Sequence, residues 1–77
     1  MIRIFGDFNA LSGGHIPLYS QGSLEDIRKQ NVELREGLRV IVYDDQCQAD
    51  AIVEKIGGEW YGRVVESTVR VRSPRER

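Results

Sequence analysis

One histidine, one cysteine and a thin scatter of carboxylates are the only side chains in these 77 residues suited to nucleophilic or metal chemistry. His15 follows Gly13-Gly14 and precedes a strand, so it reads as an exposed turn residue. A metal site needs several ligands converging on one ion, and no second histidine exists to join it. Cys47 is equally alone. A Cys-His nucleophile pair has no local signature here, and Cys47 reads as a small residue beside a turn. Asp44 and Asp45, with Asp50 five residues on, have the composition of a Mg²⁺ or acid–base cluster. Adjacent residues at a strand end point to opposite sides, and aspartate favours turns by bonding its own backbone, so turn chemistry accounts for them.

The glycine pairs at 13–14 and 57–58 lack the Lys-Ser/Thr of a phosphate loop, and neither opens a helix. They read as hairpin glycines. No catalytic set, metal or cofactor is expected, and the chain is not read as an enzyme. Binding residues are the better prospect. Alternation sends Trp60 and Tyr61 to opposite faces, with Trp60 expected in the core. Tyr43 and Tyr61 would build an aromatic groove if their strands were brought together. Arg70 and Arg72 share one face of a last strand, where Arg63 could join them. Their forked donors suit phosphate or carboxylate partners, although charge on an edge strand also serves to block edge-to-edge pairing. Tyr43, Tyr61, Arg63, Arg70 and Arg72 are thus the candidate binding surface.

The bulk properties limit what can position these residues. A chain this short makes one domain, assigned to residues 1–72, with a polar disordered tail at 73–77. The composition, 40% hydrophobic and 30% charged, is that of a folded domain. Net charge is −1, with five of the eleven basic residues at or beyond Arg63. A nearly neutral chain lacks the field of a dedicated nucleic-acid binder. A single cysteine excludes an intramolecular disulfide. No apolar run approaches the length of about 20 residues that spans a bilayer. The first residues carry a glycine and an acid where a leader would need its apolar core. A cytoplasmic location without membrane association is expected.

Ile2 to Phe5 is β-branched and aromatic, and His15 to Tyr19 alternates, so the two read as strands of a loose hairpin. Pro17 lacks an amide donor and confines its strand to an edge or a bulge. Residues 23–30 form the one helix, with Ser23 as N-cap, Asp26 completing a capping box, and Leu24 and Ile27 as its packing face. Asn31 suits a left-handed C-terminal cap. Leu38–Tyr43 and Ala49–Ile56 are strands, and Gly57-Gly58 calls for a type I′ turn into the next. That turn sets Ile56 opposite Glu59, Lys55 opposite Trp60, Val53 opposite Gly62 and Ala51 opposite Val64. One face then carries Ala51, Val53, Val64 and Trp60, with Lys55 at the tip. The other mixes Ile52, Ile56, Tyr61 and Val65 with charges, so the sheet must curl, be covered, or meet a partner. Ser67–Val71 ends the pattern, with Val69 and Val71 inward. The expected fold is mainly β: a small bent antiparallel sheet or partly open SH3-like barrel of five to six strands with one short helix.

The run Glu36 to Asp44, preceded by Gly22 to Ile27 and by Asp7-Phe8-Asn9, resembles a group of small bacterial proteins with no assigned function. The resemblance spans residues 5–65 and implies no chemistry. The second half is similar in rhythm to SH3-like and Tudor-like barrels, with Trp60 and Tyr61 in the place of their aromatic pair. The expected role is a non-enzymatic module that docks an unidentified protein partner or self-associates. The alternative is a nucleic-acid-binding small barrel that uses the arginines and the exposed tyrosines.

Overall fold

The computed structural model describes residues 1–71. In chain order it contains β1 (Arg3–Phe5), a 3-10 turn (Phe8–Ala10), β2 (His15–Pro17), helix α1 (Gln21–Lys29), β3 (Arg39–Tyr43), β4 (Cys47–Ile56), β5 (Glu59–Val64), a second 3-10 turn (Glu66–Thr68) and β6 (Arg70–Val71). All six strands form one sheet in the order β1-β3-β4-β5-β2, with β6 paired to the start of β4. The expected tail at 73–77 and the side chain of Arg72 lie outside the described residues.

Local turn chemistry dictates the middle of the sheet. Gly57 and Gly58 have φ of 58° and 86°, the two positive values that a type I′ turn demands. The β4–β5 register follows from it, with Ala51 opposite Val64, Val53 opposite Gly62 and Lys55 opposite Trp60. Because directly opposed residues share a face, one face of the sheet is apolar apart from Lys55 at its tip. Ile4, Ile16, Leu18, Val40, Val42, Ala51 and Val53 are sealed from solvent there. Trp60 is half-buried and packs against this cluster.

The sheet curls into a half-barrel. β1 and β2 stand at opposite ends of the strand order, yet their chains meet: a Cβ on Gly6 would lie 2.7 Å from Ile16 Cγ2. A glycine is required there because no side chain fits between the two ends. Within this arrangement the hairpin expected from β1 and β2 does not form. β1 pairs in parallel with β3, and β2 pairs antiparallel with β5. Parallel pairing needs a long crossover, supplied here by everything between β1 and β3, α1 included. β2 is an edge strand, as Pro17 requires.

The helix begins earlier than expected. Ser20, not Ser23, is the N-cap, and its Oγ accepts from the Ser23 amide at 3.2 Å. The helix ends at its C-cap Gln30, and Asn31 takes φ of 58°. Leu24, expected to pack, is 51% exposed, whereas Ile27 does reach the core cluster. The buried residue of this helix is Ser23.

Polar side chains, more than apolar ones, attach α1 to the sheet. Ser23, Asp26 and Gln30 are three and four residues apart and therefore lie on one helix face. Ser23 Oγ donates to Phe5 O at 2.5 Å, and Phe5 N donates to Asp26 Oδ2 at 2.9 Å. Gln30 takes both groups of Arg3, accepting from its N–H at 3.1 Å and donating to its carbonyl at 2.6 Å. These are the β1 groups that point away from β3. Asp26, expected to reach back to the cap, instead spans two elements.

The last strand is shorter than expected. Glu66–Thr68 turns as 3-10, held by Thr68 Oγ1 donating to Val65 O at 2.6 Å and accepting from Asp50 N at 2.8 Å. Val69 and Val71, expected inward, are 42% and 78% exposed. Only Arg70 and Val71 pair with β4, too few to turn that segment toward the core.

Candidate functional site

The outer face of β2, β5 and β4 carries the densest cluster of chemically distinctive side chains. A two-residue turn starts it. Gly13 and Gly14 have φ of 57° and 83°, and Ser12 and His15 exchange two backbone hydrogen bonds of 3.0 Å. This hairpin delivers His15 into β2 opposite Arg63, and Pro17 opposite Tyr61. Glu54 on β4 faces Tyr61 from the other side.

Glu54 holds a histidine and an arginine at once. Its Oε1 lies 2.8 Å from His15 Nε2, and its Oε2 accepts from Arg63 Nε at 2.7 Å. His15 Nδ1 is 3.2 Å from Gly13 O. Both ring nitrogens thus face acceptors, and only the doubly protonated imidazole makes both bonds together. The hydrogen bond from Arg63, seconded by the one from His15, holds the Glu54 carboxyl below its usual range. His15 is therefore half-buried and built into the sheet, not the bare turn residue its neighbours implied.

Tyr61 sits between two aromatic rings. His15 meets it edge-on at 6.3 Å, and Tyr19 does so at 5.7 Å with an interplanar angle of 86°. The Tyr19 and Tyr61 hydroxyls approach to 3.4 Å, and that contact raises the Tyr19 phenol above its ordinary value. Around this corner Ile52 and Val65 are half-buried, and Ile56 is 45% exposed. Arg39 and Asp50 complete the face as an ion pair of 2.7 Å.

The five candidate residues are not brought to one place. Tyr43 lies opposite Gln48, and Tyr61 lies opposite Glu54 on the other side of β4, six residues along it. That is about 20 Å of strand, so the two tyrosines form no common groove. Tyr43 instead belongs to the helix contact. Its hydroxyl donates to Asp26 Oδ2 at 2.5 Å, its ring meets Phe5 edge-on, and the Arg3 guanidinium lies 4.9 Å from its centroid. Arg63 stands beside Tyr61, while Arg70 pairs with Gln48 near the Tyr43 end. The structure does not describe Arg72.

The aspartates organise turns. Asp44 accepts from the amides of Gln46 and Cys47 through Oδ1 and from Phe8 through Oδ2, and Asp7 accepts from Asn9. A shallow cleft of about 250 Å³ lies over them, lined by Phe5, Asp7, Asn9, Asp44, Asp45 and Gln46. Among the described residues, no three His, Cys, Asp or Glu side chains are placed to hold a metal ion. Cys47 is a free, half-buried thiol paired in register with Val71, far down β4 from His15.

Sequence reasoning missed the Glu54 hub and the Ser23–Asp26–Gln30 face. The helix face left a signal, since three polar residues at that spacing occupy the side that an amphipathic helix normally keeps apolar. Glu54 left none, because 39 residues separate it from His15.

No family model matches this chain, and neither a curated protein nor a solved structure matches it. What its geometry defines is a six-stranded half-barrel with one helix. Among the described residues, no helix is long and apolar enough to cross a membrane.

Proposed function

We propose that this chain is a non-enzymatic protein-interaction module that docks a protein partner on the outer face of β2, β5 and β4, around Tyr61. One observation carries the reading. Four charged side chains of this face are tied to one another, Glu54 with Arg63 and Asp50 with Arg39, while Tyr19 and Ile56 are exposed and Ile52, Tyr61 and Val65 half-buried between them. A face whose central charges are paired and whose tyrosines are partly open favours contact by packing over contact by charge. Tyrosine is suited to such a role, since it offers a large, stiff, amphipathic surface. The SH3-like character of the half-barrel rests on its strand rhythm and its Trp60-Tyr61 pair. The cytoplasmic assignment rests on the lone cysteine.

The test compares the unaltered chain with Tyr61→Ala, each tagged and recovered from extract of its own cell, with and without nuclease. The expected result is a protein that survives nuclease treatment and is lost with Tyr61→Ala while the fold is retained. Equal recovery by both chains would refute the docking face. Partners released by nuclease would point to nucleic acid and to the arginines instead.

A further inference from the structure

α1 meets β1 as a substitute for a strand. An adjacent strand would take the outward N–H and C=O groups of Arg3 and Phe5 with its backbone. Here the side chains of Ser23, Asp26 and Gln30 take all four. Apolar support is narrow: the Phe5 ring lies over Gly22 of α1, where a Cβ would come within 2.9 Å of it. Leu24 points to solvent, and Ile27 is the α1 residue that joins the hydrophobic cluster.

We propose that α1 is a displaceable cap over a strand-docking edge, and that the strand it excludes is β1 of a second copy of this chain. Exchange of the helix for a strand keeps the same four backbone groups of β1 satisfied, and the Tyr43 hydroxyl gives up Asp26. The pairing is antiparallel with Ile4 on a twofold axis. Arg3 then opposes the partner's Phe5, and Phe5 opposes the partner's Arg3, so the outward-bonding residues of both copies meet. Opposed side chains share a face, which brings the Arg3 guanidinium against the ring of the partner's Phe5, a favourable cation–π contact. The register that opposes Arg3 with the partner's Arg3 stacks like charges and is disfavoured. Such a twofold contact closes at two copies. The β2 end of the sheet cannot propagate it, since Ser12 of the same chain occupies the outward groups of His15 and Pro17 has no N–H. This surface is separate from the one around Tyr61, and neither reading depends on the other.

The test weakens the cap and follows association. Asp26→Ala with Gln30→Ala removes the side chains that hold Arg3 and the Phe5 amide. Gln30→Ala alone removes two of those bonds at an exposed position. Sedimentation equilibrium from micromolar to millimolar chain is expected to show dimerisation about tenfold to a hundredfold tighter in the double variant, and a smaller shift in the single one. Amide exchange at Arg3 and Phe5 is expected to be fast in dilute double variant and slow once the dimer forms. A folded variant that stays monomeric at every concentration overturns the proposal. So does a dimer in which those two amides remain fast. Should the double variant not fold, Gln30→Ala decides by its association and by exchange at Arg3, since Asp26 still holds the Phe5 amide.

Discussion

Gly6 and Ile16 bring the two ends of the sheet together, and Gly6→Ala tests that approach. The new methyl carbon would sit 2.7 Å from Ile16 Cγ2 and 3.5 Å from Val42 Cβ. Carbon atoms rest at about 3.5–4.0 Å, so one of the two chains must move by about 1 Å. Ile16 cannot swing aside, because it is fully buried and its β-branch is stiff at χ1. Overpacking of this kind costs about 1–3 kcal/mol. Gly6 is not among the glycines with positive φ, so alanine fits the backbone and returns about 0.4–1 kcal/mol through the unfolded chain. The net loss is about 1–2 kcal/mol, a fall in Tm of about 5–15 °C for a domain of this size. Urea unfolding followed by Trp60 fluorescence should show a lower midpoint with an unchanged slope. Ile16→Leu removes the branch carbon at low cost, so Gly6→Ala with Ile16→Leu should be less destabilised than the two changes summed. An unchanged or raised midpoint in Gly6→Ala, or strict additivity in the pair, would show that the two sheet ends do not meet.

Two further outcomes follow from single residues. Asn31→Ala should cost about 1 kcal/mol, since φ of 58° is left-handed and strains a Cβ-bearing side chain, whereas Asn31→Gly should be neutral in a thermal melt. The Glu54 carboxyl titrates below its ordinary value of 4.5 in the folded chain, so its pairing stabilises the fold above that pH and is lost as pH falls through the lowered value. The urea midpoint should decline over that acid range, and Glu54→Gln should remove this component of the decline.

Much of the β3–β4–β5 meander was legible because its determinants are local. Val40, Val42, Ala51 and Val53 recur at every second position of β-branched runs, and a glycine pair sets the turn between β4 and β5. The helix was legible as a helix, but its start was displaced. Ser20 and Ser23 are both good caps, and the choice between them was made by β1, which needs the Ser23 hydroxyl for Phe5 O. The surface around Tyr61 was half legible. Tyr61 and Arg63 stood out by type, whereas Tyr19, His15 and Glu54 gained their meaning only from neighbours on other strands.

The stretch from β4 to β5 determines by itself an antiparallel pair with a defined register, because two positive φ values at Gly57-Gly58 leave one way to pair the strands they join. Tertiary structure alone decided where the first 37 residues go. Parallel pairing of β1 with β3, the meeting of Gly6 with Ile16, and the seating of α1 on the β1 edge all join residues distant in the chain. Such contacts depend on which backbone groups are left unpaired once the local elements have formed, and no short stretch of sequence records that. The face around Tyr61 stays partly open, with Tyr19 and Ile56 exposed. The helix does not cover it, because α1 stands in for a strand at β1.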